Sequence, residues 1–510
     1  MKITLISVST YPSDQGLRTI SSYLKENDHE VNIIFLTYSE NYKKLYSENV
    51  LKQVEGLCKD SNLIGISSFA STSNRASQII NHIKKLNIPI VYGGVHATIS
   101  PERCINDCDL VCIGEGEETL LELVNAIEKN KSIEKIRNLW IKKENKIIKN
   151  SVRPLIENLD VLPYADYDIE DHYILERNNI NKFKERHLNG QVFFLTGRGC
   201  PYSCTYCSNE HFNKLYKGLG KVVRWHSPDY IINCILDLKL RFKSLNYFDI
   251  RDDTFSFRPI DQIKEFCDKY KEKVNMRFKC LADPITITEE KIKLLTDAGC
   301  TDIIIGIQGQ ENINFNVYKR YQTDRQILDA ANIINKYNNK ISIMYDVITS
   351  NPYETREDIL NLIKLLKQLP HPYYLSVNNL VFFTGSELYK KAKQDDIIKA
   401  EEDSASTLNY WDRWKHIKLK KKNAYLNLIL NLMRGVVTKH RFGIMPRFLL
   451  NILLKENIVS FNLKHKPFTY ILGYMIHISD SLRENIAKPI YRNILPVKFK
   501  VWFDKARYRI

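Results

Sequence analysis

The stretch from Gly197 to Cys207 reads GRGCPYSCTYC and decides how the rest of the chain is interpreted. It places Cys200, Cys204 and Cys207 at the spacing C-x-x-x-C-x-x-C on a glycine-containing loop. The preceding residues, 191–196, read QVFFLT, an apolar and aromatic run that is typical of a strand. The sequence therefore predicts a thiol-rich loop directly after a β-strand.

The number of thiols in this loop favours an iron–sulfur cluster over a zinc site. A structural zinc ion normally takes four ligands, and the sequence contains no second C-x-x-C pair. An iron–sulfur cubane usually binds four thiolates as well, so three thiolates leave one iron open. The amino and carboxylate groups of S-adenosylmethionine (SAM) can occupy that iron. One-electron transfer to SAM then yields a 5′-deoxyadenosyl radical.

This spacing resembles the signature of the radical SAM superfamily. The resemblance implies that Cys200, Cys204 and Cys207 hold a [4Fe–4S] cluster, and that Tyr206 borders the adenine of SAM. The remaining cysteines are scattered through predicted helices and strands, where free cysteine behaves as a small apolar residue. We expect those cysteines to be structural.

The N-terminal third alternates short apolar strands with helical patterns. Strands are predicted at residues 2–8, 29–36, 63–67, 88–92 and 110–113. This alternation indicates a doubly wound parallel sheet, and such sheets bind ligands beyond the carboxyl ends of their strands. The residues at those ends are small or polar, as in ordinary turns or in a ligand site. They include Ser67, Ser68, Gly93, Gly94, His96, Gly114 and Gly116.

These loops resemble those of the cobalamin-binding domain that precedes many radical SAM cores, over roughly residues 1–130. The resemblance implies cobalamin contacts from Gly16 and from the strand-end residues just named. Ser13 takes the position of the histidine that ligates cobalt in cobalamin mutases and methionine synthase. Because serine cannot replace imidazole, we expect cobalamin to bind without a protein histidine ligand. His96 is expected to order its loop or to contact a phosphate.

The middle of the chain repeats the strand–helix alternation. Further strands are predicted at residues 247–251, 276–280, 302–305, 341–348 and 373–380. With residues 191–196 they predict an incomplete (β/α)6 barrel, in which functional residues lie at the carboxyl ends of strands.

Two strand ends of this barrel resemble motifs of the cobalamin-dependent radical SAM family. The resemblance implies that Asp252 and Asp253 contact SAM, although an aspartate there also suits a helix N-cap. Gln308 stands where family members often carry a glutamate, and is expected to keep a cofactor contact. Leu281 stands where they often carry an arginine, so a contact to a carboxylate of SAM or substrate is expected to be missing.

The C-terminal part is strongly basic. Residues 401–510 contain 21 Lys or Arg against 8 Asp or Glu, in a chain whose formal net charge is +16. Apolar spacing around Trp411, Trp414 and Tyr425 predicts helices. A basic surface could face an anionic membrane, a nucleic acid or a phosphorylated substrate, or be a solvated lysine-rich face. No pattern of an RNA-binding module appears, so a specific nucleic acid is not expected.

The chain as a whole is predicted to be an α/β protein. We expect a cobalamin-binding domain at residues 1–140, a linker at 141–188, a radical SAM partial barrel at 189–395 and a helical domain at 396–510. The N-terminus begins as a strand and shows no signal-peptide pattern. The longest apolar runs are too short to cross a bilayer. A cytoplasmic location is therefore expected.

Together the two resemblances predict a cobalamin-dependent radical SAM enzyme. Methyl transfer to an unactivated carbon is the commonest activity of this domain pair, so a methyltransferase is the leading prediction. A cobalamin-dependent cyclase or ring-rearrangement enzyme would use the same parts. An RNA-modifying or RNA-binding protein using the basic tail is a third reading. Expected partners are a small-molecule or peptide substrate and an electron donor such as flavodoxin or ferredoxin.

Overall fold

The computed structural model describes residues 1–9, 11–12, 14–37, 44–144, 146–398 and 423–465. The chain divides into two compact units. The first contains the described residues of Met1–Asp253, Asp268–Arg277 and Val381–Arg413. The second contains the described residues of Thr254–Cys267, Phe278–Leu380 and Trp414–Ile510.

A nine-stranded sheet forms the N-terminal part of the first unit. Its strands are β1 (Lys2–Val8), β2 (Glu30–Phe35), β3 (Leu63–Ser68), β4 (Ile90–Gly93), β5 (Leu110–Cys112), β6 (Leu139–Lys143), β7 (Lys146–Lys149), β8 (His172–Glu176) and β9 (Asn179–Lys182). Their spatial order is β7-β6-β5-β4-β3-β1-β2-β8-β9. Neighbouring strands pair in parallel along the stretch β5-β4-β3-β1-β2-β8 of this order. Strands β6 and β7 at one edge and β9 at the other pair in the antiparallel direction.

Helices alternate with these strands, as predicted. They are α1 (Gln15–Lys25), α2 (Glu48–Cys58), α3 (Ser73–Ile83), α4 (Gly94–Ile99), α5 (Pro101–Asp107) and α6 (Glu117–Glu128). Every residue of β1 after Lys2 is buried, as expected for a parallel strand that is covered on both faces. The Asp14 side chain accepts the Leu17 N–H at 3.1 Å and so caps α1.

The predicted linker, residues 141–188, contains strands of the first sheet. β7 pairs with β6, β8 pairs with β2, and β9 pairs with β8. The chain therefore returns to both edges of the sheet before it reaches residues 197–207, which we call the cysteine loop. Residues 172–182 were not expected to be strands because their exposed charged residues interrupt the apolar alternation.

The remaining part of the first unit carries the cysteine loop. It contains β10 (Gln191–Phe194), β11 (Gly197–Arg198), α7 (Ser208–Leu215), β12 (Arg224–Trp225), α8 (Pro228–Arg241) and β13 (Tyr247–Ile250). β10 and β13 pair in parallel, with Gln191 opposite Tyr247. β11 and β12 form a short antiparallel pair.

Residues 254–465 continue with strands and helices. The strands are β14 (Arg277–Ala282), β15 (Cys300–Gln308), β16 (Ser342–Thr349), β17 (Tyr373–Asn379), β18 (Gly435–Val437), β19 (Arg441–Phe442) and β20 (Met445–Pro446). The helices are α9 (Ile260–Lys269), α10 (Glu289–Asp297), α11 (Glu311–Asn316), α12 (Asp324–Asn335), α13 (Arg356–Gln368), α14 (Glu387–Gln394), α15 (Ala424–Met433), α16 (Arg447–Leu453) and α17 (Glu456–His465). Strands β14 to β17 are parallel, whereas β18 to β20 are antiparallel.

The chain is thus an α/β protein with an N-terminal parallel sheet and a second, mixed sheet. All the strands predicted from residue 191 to residue 380 are present. The C-terminal residues that the structure describes, 423–465, are not purely helical, because β18 to β20 extend the sheet from β17. The predicted helices around Trp411 and Trp414 lie outside the described residues. Within the described ranges, no helix combines the length and apolar character needed to cross a bilayer.

Candidate active site

The cysteine loop begins at a conformation that only glycine adopts easily. Gly199 has φ +85°, and a Cβ built there would overlap the carbonyl oxygen of Val222. This close approach follows from the pairing of Arg198 with Arg224 in the β11–β12 ladder. The backbone geometry therefore fixes the direction in which Cys200 leaves the ladder.

Two of the three thiols accept hydrogen bonds that favour a thiolate. Cys200 and Cys204 are buried and Cys207 is half-buried. The backbone N–H of Tyr202 donates to the sulfur of Cys200, and that of Asn209 donates to the sulfur of Cys207. Cys207 is also the N-cap of α7. N–H donors and a helix N-terminus both favour negatively charged sulfur.

Burial favours the protonated form of two thiols of the loop. Burial raises the pKa of the Cys207 thiol to about 11 and that of Cys200 further, so a bound metal must displace protons. In the part of the chain that the structure describes, no three His, Cys, Asp or Glu side chains converge around one point. A cubane needs no such convergence, because three thiolates bind three different iron atoms.

The two aspartates after β13 differ in their surroundings. Asp252 is buried, and its Oδ1 accepts the backbone N–H of Thr196 at 2.6 Å and that of Gly197 at 3.2 Å. Its Oδ2 accepts the Thr196 hydroxyl. Asp252 therefore ties the end of β13 to the start of the cysteine loop. Asp253 is exposed, and of the pair it is the carboxylate that a ligand can reach.

In the second unit, the end of β15 departs from regular strand geometry. Gln308 has φ +65° and lies at a bulge in the pairing with β16. Arg320 donates to the carbonyl oxygen of Gly306 at 3.2 Å and forms an ion pair with Asp283, which is buried. Sequence reasoning missed Arg320. It brings a guanidinium group to the end of β14, the strand on which Leu281 stands in place of the family's arginine.

At the carboxyl edge of the N-terminal sheet, the predicted contact residues differ in how far they are buried. Ser67 and Gly93 are half-buried at this edge. Ser68 is buried and its hydroxyl lies 2.7 Å from that of Tyr92. Gly94 has φ +86°, and a Cβ there would lie 2.7 Å from the Ser67 hydroxyl. The close packing of α4 on β3 is therefore one reason for a glycine at position 94.

His96 lies inside the fold rather than at the open edge. It is 1% exposed, and burial lowers its pKa to about 4, so its imidazole is neutral. Gly16 lies in the first turn of α1 with no atom closer than 3.9 Å to a built Cβ. Ser13 lies outside the described residues. Tyr11 and Phe69 are each 49% exposed.

The loop after β5 makes the contacts that the sequence did not suggest. Glu115 Oε1 lies 3.0 Å from Arg198 Nη1 and 2.7 Å from Arg224 Nη2. Glu117 Oε1 lies 2.5 Å from Arg198 Nη2. Burial alone would raise the pKa of Glu115, but Arg198 and Arg224 outweigh it and lower the pKa below its usual value. The predicted contact residues Gly114 and Gly116 flank Glu115, so the loop that carries them also contacts the cysteine loop.

Two family models match the chain. Residues 1–124 match the B12 binding domain, and residues 194–366 match the radical SAM superfamily. Cobalamin, SAM and a [4Fe–4S] cluster are the cofactors of these two domains, as predicted. The cysteine loop and the loops at the carboxyl edge of the first sheet lie within the two matched ranges.

Relatives of known name match across both domains. The chain is 26% identical to the uncharacterized methyltransferase PH0819 of Pyrococcus horikoshii, over 85% of this chain and 92% of that one. It is 22% identical to an anaerobic magnesium-protoporphyrin IX monomethyl ester cyclase of Rubrivivax gelatinosus, over 68% of this chain and 60% of the other.

A solved structure shares the fold. The radical SAM methyltransferase TsrM of Kitasatospora setae superposes with a TM-score of 0.62 at 16% identity, over 78% of this chain and 77% of that chain. The two family matches give the order of the two domains along the chain. The chain is a cobalamin-dependent radical SAM enzyme, in which a B12-binding domain precedes a radical SAM domain.

Proposed function

We propose that this enzyme is a methyltransferase that acts on an unactivated carbon, with Cys200, Cys204 and Cys207 as the cluster ligands. The observation that carries the proposal is the arrangement of the cysteine loop, in which the sulfurs of Cys200 and Cys207 accept backbone N–H donors. The match to a B12 binding domain adds the second cofactor. When bound, the cluster supplies the electron that cleaves SAM, and cobalamin supplies the methyl group.

The chain's own residues orient SAM at the mouth of the cysteine loop. Tyr206 is half-buried beside Cys207 and offers a ring to the adenine. Asp253 is exposed and accepts hydrogen bonds from an ammonium or a ribose hydroxyl. Asp252 acts indirectly, because it already holds Thr196 and Gly197. In the second unit, Gln308 stays a proposed cofactor contact, whereas the guanidinium of Arg320 already binds Asp283 and the carbonyl oxygen of Gly306.

Cobalamin is proposed to bind at the carboxyl edge of the first sheet without a protein histidine on cobalt. His96 is buried and neutral, which keeps it from the open edge. Gly16, Ser67, Ser68, Gly93, Gly94, Gly114 and Gly116 remain the proposed contact residues. An external reductant is required because SAM cleavage consumes one electron.

The names of the relatives support methyl transfer but leave one competitor. The relative whose match covers 92% of its length is named as a methyltransferase. The cyclases match over shorter parts of this chain. A cyclase would use the same cluster and cobalamin without transferring a methyl group. The nature of the SAM products separates the two.

The test counts both products of SAM in the anaerobically reconstituted enzyme, loaded with cobalamin and reduced with dithionite. A methyltransferase releases 5′-deoxyadenosine from one SAM and S-adenosylhomocysteine from another, since SAM also remethylates the cobalamin. A cyclase releases 5′-deoxyadenosine without S-adenosylhomocysteine, and that result would overturn the proposal. The methylation of reduced cobalamin by SAM can be followed without knowing the substrate.

The control variant replaces a buried cysteine that lies outside the cysteine loop. The triple Cys200→Ala, Cys204→Ala, Cys207→Ala variant is expected to release no 5′-deoxyadenosine. The Cys58→Ala variant removes a buried thiol from α2 and is expected to keep full release. Equal loss in both variants would contradict the proposed ligand set.

A further inference from the structure

Residues 114–117 of the B12-binding domain contact the chain both before and after the three cysteines. On the entry side, Arg198 lies two residues before Cys200 and pairs with Glu115 and Glu117. On the exit side, Tyr216 is the C-cap of α7, the helix that begins directly after Cys207. The Tyr216 hydroxyl accepts the backbone N–H of Glu115 at 3.0 Å.

The charges in this contact are matched and largely buried. Glu117 is 2% exposed, and the side chains of Arg224 and Glu115 are 5% and 18% exposed. Glu115 is shared, because Arg224 binds both of its carboxylate oxygens while Arg198 binds one of them. Movement of the loop would leave at least two charges without partners in a poorly solvated place, which is costly.

Any movement of residues 114–117 is therefore coupled to movement of the cysteine loop. The same loop carries Gly114 and Gly116, which are proposed cobalamin contacts, while the cysteine loop is the proposed site of the cluster and SAM. A ligand that orders one loop orders the other. Linkage then requires that any change one cofactor makes in the affinity for the other be returned by the same factor.

We infer that Glu115, Glu117 and Arg198 are positioning residues that couple the cobalamin site to the SAM site, so that the two cofactors bind cooperatively. The inference rests on the proposed cluster ligands and on the proposed cobalamin edge, and it holds for a methyltransferase and a cyclase alike. None of the three side chains touches the reacting atoms in this account. They act through the backbone of the loops that they join.

The experiment is a thermodynamic cycle on the cluster-containing protein. SAM binding is measured by equilibrium dialysis with and without hydroxocobalamin, with the cluster oxidised so that no turnover occurs. Hydroxocobalamin binding is measured in turn with and without SAM. We expect each cofactor to tighten the other about tenfold. Independent binding of the two cofactors in the wild-type protein would overturn the inference without any variant.

Glu117→Gln removes one charge of the contact while keeping the shape of the side chain. It is expected to bind each cofactor singly but to lose the tenfold coupling. Glu122→Gln is the matched control, since it removes the same charge from the same helix and its partner is Arg153 rather than Arg198. Coupling that persists in Glu117→Gln, or is lost equally in Glu122→Gln, would overturn the inference.

Arg198→Lys gives a second variant in case Glu117→Gln loses its iron. Lysine keeps the charge but cannot bind two carboxylates through a planar fork, so partial coupling is expected at unchanged iron content. Full coupling in this variant would overturn the assigned role of Arg198. Failure to form a methylated product would contradict the proposed function but not this inference, because the binding titrations involve no turnover.

Discussion

The hydroxyl of Tyr216 occupies the place that a side chain at Gly114 would need. A Cβ built on Gly114 would overlap Tyr216 Oη, and Gly114 has φ +77°. Gly114→Ala is therefore expected to lower the free energy of unfolding by about 2–5 kcal/mol, from left-handed strain and overpacking together. Chemical denaturation of the apoprotein measures this loss.

Gly218→Ala isolates the contribution of strain alone. Gly218 has φ +81° and no atom within 4 Å of a built Cβ. Its substitution is expected to cost only about 1–2 kcal/mol. Equal losses at the two glycines would show that the Tyr216 contact contributes nothing.

The carboxylate of Asp252 is expected to stabilise the fold, whereas that of Asp253 is not. Asp252→Ala leaves three donors of Thr196 and Gly197 without their acceptor, at an expected cost of about 3 kcal/mol. Asp253→Ala is expected to change stability by less than about 1 kcal/mol while weakening SAM binding. Thermal melts and SAM dialysis of both variants test this division, and the reverse order of the two effects on stability would refute it.

Glu354 is expected to make the stability depend on pH. Burial, with a smaller contribution from Asp358, raises the pKa of Glu354 to about 8. The unfolded value is about 4.3, so the folded protein holds this proton more tightly. The contribution is therefore fully favourable below pH 4.3, is lost as the pH rises towards 8, and changes no further above 8.

Glu354→Gln removes this dependence because glutamine does not titrate. Between pH 6 and pH 8.5 the wild-type protein is expected to lose about 2–3 kcal/mol more stability than the variant. Urea denaturation at both pH values measures the difference. The exposed neighbour Glu357, replaced by glutamine, serves as control. A Glu354→Gln protein with the wild-type pH dependence would contradict the assignment.

The sequence predicted those parts of the fold that depend on local pattern. The apolar run at residues 191–196 and the five strand patterns that follow it identified strands that the structure contains. Strands β8 and β9 were missed because their edge positions tolerate exposed charges, which hide the alternation. The antiparallel extension β18 to β20 was missed because strands of two or three residues carry no period.

The site could be predicted only where its residues are neighbours in the chain. Cys200, Cys204 and Cys207 share one loop, so their spacing indicates their chemistry. The contact of Glu115 with Arg198 joins residues 83 positions apart, and no spacing rule links them. Arg320 was missed for a related reason, since its partner Asp283 lies 37 positions earlier. Tertiary packing decides such pairs.

Electron paramagnetic resonance of the anaerobically reconstituted and reduced protein, before and after addition of SAM, tests the central proposal most directly. If the three cysteines hold a cubane with one open iron, the wild-type protein gives a cluster signal that SAM shifts, and the triple cysteine-to-alanine variant gives none. A wild-type protein that contains zinc or no iron, or whose cluster signal ignores SAM, would contradict the account.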